Sequence, residues 1–324
     1  MNNEKKYFLK IPKKSDNNIE KPMHGLHVDR IESINDKKYL IKKTNSTSYP
    51  NNEIYITSIL EILLGKENSV QSFFTYDNNI NFNQVTSEIE KKLKIASIWI
   101  EDTQNLIQTR INSSKKPKNL VASLFASLLS GNMDLHPGNI LVDKNNKFYV
   151  IDPMVRSSEN KYGLDTEALL TRISNSYEEF LKNLTKDNIK QKISLLLNEY
   201  FKVQSDSFYP ILKHYEDNRS ELETEGRNVE KYIKAIDEII QTNEEIIKDN
   251  SISNSINLMD AKEIIAEIKI IIDCDKKELE KIGEYFEDKK IFENFGKKGI
   301  KPGHMKIVLE LLERLSKVDF LSIN

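Results

Sequence analysis

The stretch Gly131–Pro153, GNMDLHPGNILVDKNNKFYVIDP, holds the densest set of side chains able to do chemistry. Asp134, His136 and Asn139 fall in one short polar loop, 132–139, and Asp152 follows at the end of a strand. Ile140–Val142 and Phe148–Ile151 suit short strands joined by a turn at Asp143–Asn146. A hairpin of that kind returns Asp152 to Asn139, with Asp134 close by. Hard oxygen donors converging in this way make a seat for Mg²⁺ or Mn²⁺ on a triphosphate, with coordination positions left for phosphate oxygens and water. The separate carboxylate of Asp134 can orient an attacking hydroxyl and take its proton. The chemistry expected of such a set is phosphoryl transfer.

These residues need elements to hold them. Upstream, Leu26–Ile34 and Lys38–Lys43 read as short strands joined at Asn35-Asp36. A polar linker, 44–52, precedes a helix expected over Glu53–Leu64, where Ile56, Ile59, Leu60, Leu63 and Leu64 form one stripe and Gly65 is the stop signal. Val70–Tyr76 and Leu93–Ile100 read as further strands, the second ended by Glu101-Asp102. Asn119–Leu129 has little charge and is expected to be a buried helix broken by Gly131. Beyond it the chain is mostly helix, expected at Leu164–Leu181, Ile189–Tyr200, Val229–Lys248, Leu258–Ile272, Lys277–Phe286 and His304–Leu315.

With these elements in order, Asp134-x-His136-x-x-Asn139 followed by Ile151-Asp152 resembles the catalytic loop and metal-binding aspartate of atypical protein kinase-like enzymes. The spacing of the histidine is similar to that in HipA-type and phosphoinositide-kinase-like groups and related bacterial effector kinases. The resemblance implies an α+β, bilobal fold, with a small mixed N-lobe over 21–101 and a large, mostly helical C-lobe over 102–324. Residues 1–20 would be an N-terminal extension, and a helical module would be added from about 220. It implies Asp134 as the catalytic aspartate, Asn139 and Asp152 as metal ligands, and His136 as a member of the catalytic group that braces the loop. Tyr39-Leu40-Ile41-Lys42 resembles the strand that ends in the ATP-phosphate lysine, so Lys42 would meet the α- and β-phosphates. Its carboxylate partner would be Glu53 on the following helix, with Glu61 as the fallback, and Lys43 as the fallback for Lys42. Lys92–Asp102 resembles the strand entering the interlobe hinge, so backbone groups near Trp99, Ile100, Glu101 and Asp102 would bind the adenine edge.

The pattern departs from that family at two places. Asp152 is followed by Pro153-Met154, and no Gly-rich phosphate loop is present, with only Gly25 in a comparable position. The cofactors implied are ATP and Mg²⁺ or Mn²⁺. A protein Ser or Thr is the preferred acceptor, and a phosphoinositide head group or a catalytically inactive nucleotide- or partner-binding module are the alternatives. Effector kinases of this kind often need a host-derived activator such as an inositol polyphosphate or a regulatory protein, and the helical C-lobe is where one would bind. Lys115, Lys116 and Lys118, with Lys289, Lys290, Lys297, Lys298 and Lys301, are the candidate anion-binding lysines.

Plainer readings exist for each residue. Asp134, His136 and Asn139 suit helix caps or a polar turn. Lys42 could be a solvated lysine, Glu53 a first-turn acid favoured by the helix dipole, and Asp165 a cap. Trp99 suits a core or hinge packer, and His24 and His27 suit a turn. Lone Cys274, between two aspartates, reads as a helix residue whose neighbours oppose thiolate formation. The ordered combination with Lys42 and Glu53 upstream is what favours the chemical reading.

Composition limits the alternatives. In 324 residues, 48 Lys+Arg face 50 Asp+Glu, a balance that argues against a broadly basic nucleic-acid binder or an acidic disordered tail. One cysteine excludes an intrachain disulfide and a multi-cysteine zinc site. No apolar run approaches the roughly 20 residues of a membrane span. The N-terminus places charge ahead of any apolar stretch, which does not fit a cleavable signal. Together with the resemblance, the Asn/Lys/Ile-rich composition suggests a bacterial effector delivered into a host cytoplasm.

Overall fold

The computed structural model describes residues 28–34, 36–43, 48–76, 93–107, 115–132, 134–154, 166–224, 228–287, 303–318 and 320. The expectations at Gly25, His24, His27, Asp165 and the lysines 289–301 lie outside them.

The described chain is mixed α+β, with small sheets and a larger helical part. The first sheet contains β1 (Val28–Ile34), β2 (Lys37–Lys43), β3 (Ser72–Tyr76) and β4 (Leu93–Ile98), in the order β1-β2-β4-β3 and antiparallel throughout. Between β2 and β3 lies helix α1 (Ser48–Leu64), which packs back on β3 and β4. Because side chains alternate along a strand, Tyr39 and Ile41 of β2 cluster with Ala96 on one face. Lys42, next in line, is thereby turned to the other.

Helix α1 begins earlier than the linker-like composition of 44–52 suggests. Pro50 lies in its first turn, where a missing N–H costs nothing because that group has no intrahelical acceptor. Glu53 is therefore an interior helix residue, and no acid occupies the first turn. The dipole explanation for it falls away. The helix stops at Gly65, whose φ of 80° suits a residue without a Cβ.

The chain leaves β4 through 99–102 and enters a second sheet. Here β5 (Thr103–Asn105), β6 (Ile140–Asp143) and β7 (Phe148–Val150) lie in the order β5-β6-β7. Helix α2 (Leu120–Leu129) packs on β7 and α1 and is buried at every position, as its near absence of charge requires.

The remainder is helical. α3 (Thr166–Leu181) packs on α4 (Ile189–Asp217), and α4 on α6 (Val229–Lys248), with α5 (Arg219–Thr224) at the tip. The expected end of α4 at Tyr200 is overturned. The helix runs on through Ser205, Ser207 and Pro210 because Phe208, Ile211 and Tyr215 form a separate apolar cluster with Leu222, Val229, Ile233, Ile236 and Ile240. Burial outweighs local propensity there. The expected Leu258–Ile272 helix starts later, as α8 (Ala261–Ile272), and a separate short helix that was not expected, α7 (Ser251–Asn257), precedes it. Asp260 restarts the helix, its N–H donating to Glu263 Oε2 at 2.7 Å. α9 (Lys276–Glu287) and α10 (His304–Ser316) follow, and α9 packs against α1. Cys274 lies in the turn between α8 and α9 rather than in a helix. Burial, more than its acidic neighbours, pushes its thiol up to about 11. Among the described residues, no helix is long and apolar enough to cross a membrane.

Candidate active site

Lys42 and Glu53 are 3% and 1% exposed, and their Nζ and Oε1 atoms lie 2.7 Å apart. The same ammonium forms an ion pair with Asp152, whose side chain is 34% exposed. Two carboxylates thus share one cation, and only one of the two reaches solvent. Burial works against the charge on Lys42, but Asp152 and Glu53 more than offset it and hold the ammonium's pKa well above its ordinary value. Burial pushes Glu53 upward, opposed chiefly by Lys42. The fallback Glu61 is not used in this way. Glu61 sits 3.6 Å from the exposed Lys66, and the side chain of Lys43 lies outside the described residues.

Two serines that sequence reasoning missed complete the carboxylate's surroundings. Ser72 and Ser97 are cross-strand partners on β3 and β4. Their hydroxyls are 2.8 Å apart and lie 3.3 and 3.2 Å from Glu53 Oε1. Each hydroxyl has one proton. When one donates to its neighbour, the other serves the carboxylate. Among the described residues, Glu53 Oε2 is buried and meets no donor. The available signal was one serine in each of two largely apolar strands.

The second half of the site is built on the α2–β6 connection. Gly131, at φ 71°, ends α2, and the loop then closes into a 3₁₀ turn over Pro137–Asn139. Asn139 donates from Nδ2 to the Asp134 carbonyl at 2.8 Å and to its Oδ2 at 3.2 Å. With Nδ2 so committed, Oδ1 is the atom left to meet a cation. The β6–β7 hairpin brings the two ends together, since Ile140 pairs with Val150 and the Ile151 N–H donates to the Asn139 carbonyl at 2.9 Å. Asp152 follows at φ 49°, a left-handed conformation that aspartate tolerates better than most residues.

Asn132, fully buried, was given no role by sequence reasoning. Its Oδ1 accepts the N–H of Asp134 at 3.1 Å and that of Met154 at 3.0 Å. One amide oxygen therefore fastens the segments carrying both aspartates. Its own carbonyl accepts the hydroxyl of Tyr200 on α4. His136 accepts the Gly138 N–H at Nδ1, 3.1 Å away, and its ring stands edge-on to Phe208 with centroids 6.4 Å apart. The loop thus rests on α4, and α6 packs against its 3₁₀ turn.

Residues 99–102 link the two sheets. Trp99 is exposed rather than a core packer. The Ile100 carbonyl accepts the Thr103 hydroxyl at 3.0 Å. Glu101 pairs with Lys38 at 2.8 Å and Asp102 with Lys144 at 3.2 Å, all four exposed. Of the candidate anion-binding lysines, Lys116 is already engaged by Glu263 at 3.1 Å and Asp260 at 3.4 Å.

The donor set suits a small hard cation. Carboxylates outnumber the one buried ammonium, and the partly open Asp152 together with Asn139 Oδ1 offers oxygen ligands of the type Mg²⁺ and Mn²⁺ prefer. Among the described residues, no group of three or more His, Cys, Asp or Glu is gathered as for a fully protein-ligated metal. Cations that also ligate substrate phosphates need only one or two such ligands.

No family model matches the chain, and no curated protein matches it. Among solved structures, it is similar to the crystal structure of a Helicobacter pylori proinflammatory kinase, CtkA. The two share 13% identity over 74% of this chain and 95% of that one, with a TM-score of 0.31.

Proposed function

We propose that the chain is an ATP-dependent phosphotransferase acting on a hydroxyl, with a protein Ser or Thr as the preferred acceptor. The observation that carries this reading is the buried Lys42–Glu53 ion pair with Asp152 drawn onto the same ammonium. A buried lysine held charged beside the half-exposed Asp152 is a ready partner for phosphate oxygens. Glu53 fixes its position, while Asp152 is free to exchange it for another cation.

In this reading Lys42 binds the α- and β-phosphates, and Asn139 Oδ1 with Asp152 would hold Mg²⁺ or Mn²⁺. That ion would supply neutralisation of charge on the phosphates. Asp134 orients the acceptor hydroxyl. The acceptor oxygen forms a bond to the γ-phosphorus, the bond from that phosphorus to ADP breaks, and the hydroxyl proton passes to Asp134. Asn132 holds the two aspartate-bearing segments in register, and His136 braces the loop between them. Residues 99–102, joining the two sheets, are the candidate adenine-edge segment.

The test is transfer of labelled phosphate from ATP by the purified chain, with protein mixtures and lipid vesicles as separate acceptors. Mg²⁺ and Mn²⁺ are compared, with and without host-cell extract to supply an activator. Label on Ser or Thr that disappears in Asp134→Ala supports the reading. Label on lipid alone would replace the acceptor, and no transfer under any condition would reject the enzyme.

A further inference from the structure

Tyr55 stands two residues beyond Glu53 on α1, about 200° further round the helix, so the two residues face opposite ways. Its side chain is fully buried. The phenolic hydroxyl donates to Glu287 Oε1 at 3.0 Å, and its oxygen lies 3.0 Å from His304 Nδ1. The single phenolic proton goes to Glu287, so the oxygen accepts from Nδ1–H, and the neutral imidazole keeps its lone pair on Nε2. Glu287, at the end of α9, also caps α10. Its Oε1 accepts the Met305 N–H and its Oε2 the Gly303 N–H, both at 2.7 Å.

The far side of His304 touches the root of the Asp134 loop. A Cβ on Gly131 would sit 2.6 Å from His304 Nε2. Glycine is therefore required there twice, by this approach and by its φ of 71°. One buried cluster thus contacts the helix that carries Glu53, the two C-terminal helices, and the residue from which the catalytic loop departs.

We propose that Tyr55, Glu287 and His304 are positioning residues that register α1, and with it Glu53, against the root of the Asp134 loop. The C-terminal helices then belong to the working site, although none of their side chains is among the phosphate- or metal-binding groups. The inference rests on the phosphotransferase reading for its consequence in activity and on geometry alone for its consequence in structure.

The test is a double-mutant cycle in the full-length chain, with Mg²⁺ and a fluorescent ATP analogue as the probe. Tyr55→Phe removes only the hydroxyl. If Tyr55 acts through Glu53, it weakens binding about 5- to 10-fold in the wild-type background and less than about 2-fold in Glu53→Gln. Equal losses in both backgrounds would mean general destabilisation and overturn the proposal. His304→Asn, which retains an N–H donor, should recover binding that His304→Leu loses. Hydrogen exchange supplies a readout that needs no nucleotide. Faster exchange in Tyr55→Phe over both α1 and residues 134–139 supports the coupling even if the chain binds no ATP. Acceleration confined to α9 and α10 contradicts it.

Discussion

Helix α1 separates two buried polar clusters of opposite character. On one side, Lys42, Glu53 and Asp152 crowd two carboxylates around one ammonium and leave Asp152 partly open to solvent. On the other, Tyr55, Glu287 and His304 connect neutral donors and a helix-capping carboxylate, with the histidine neutral and enclosed. The first cluster has surplus negative charge and a ligand that can be exchanged, which suits a site that receives a cation and phosphates. The second joins the Tyr55 hydroxyl, His304 Nδ1 and the Glu287 carboxylate to one another and to the start of α10, and suits a joint. A polar group enclosed with its hydrogen bonds made inside the fold holds structure, whereas a carboxylate partly open to solvent can change partners.

The sharpest way to break this contrast is to remove the shared cation. Lys42→Met leaves Glu53 buried without its ammonium, a change expected to cost about 3–5 kcal/mol and measurable by denaturant unfolding. Lys42→Met combined with Glu53→Leu should recover most of that stability but none of the nucleotide affinity. Recovery of both would separate Lys42 from phosphate binding.

The joint should respond to acid. Burial holds the His304 pKa down from 6.5 to about 4, against an upward pull from Glu287. The unfolded chain therefore takes up the proton first. His304 lowers stability as pH falls from about 6.5 towards 4, by about 3 kcal/mol in total, and its full contribution is present above that window. Thermal unfolding of His304→Gln, which leaves Glu287 and Tyr55 in place, should show a flatter dependence over this range than the wild type. Parallel profiles would contradict the assignment.

Gly131→Ala strains a positive φ and pushes a methyl group towards His304 Nε2. A loss of about 2 kcal/mol is expected, part of it relieved when His304 is shortened to Ala. The smallest effect should come from the hydroxyl pair. Ser97→Ala removes one donor near Glu53 Oε1 while Ser72 remains, so about 1 kcal/mol is expected in stability, with a weaker Lys42-dependent affinity for nucleotide. An unchanged affinity would show that the serines only fill the sheet.

How much of this was legible in the sequence differs along the chain. The loop–hairpin order placing Asp152 beside Asn139 was readable, because turn residues and short apolar strands there are local signals. So was the buried α2, whose lack of charge leaves it no wet face. Glu53's place inside α1 was hidden by Ser-Tyr-Pro, which reads as linker yet forms a first turn. The length of α4 was hidden because its second half is held by a distant partner, α6, rather than by its own propensity. Asn132, the Ser72–Ser97 pair and the Tyr55–Glu287–His304 joint were not legible. Their contacts join segments far apart in sequence, and nothing in local spacing marks an asparagine or serine that will end up buried with two partners.

The exchange proposed at the centre of the site is that Asp152 leaves Lys42 to serve a cation on ATP. Its most direct test is phosphate transfer from labelled ATP in Mg²⁺ or Mn²⁺, comparing the wild type with Asp152→Ala. Lys42 keeps its Glu53 partner in the variant, so the fold should survive. Transfer by the wild type and a loss of at least about 10³-fold in the variant are expected, with the melting temperature lowered by only a few degrees for the strain of Ala at the left-handed φ of position 152. Transfer that persists in Asp152→Ala would contradict it.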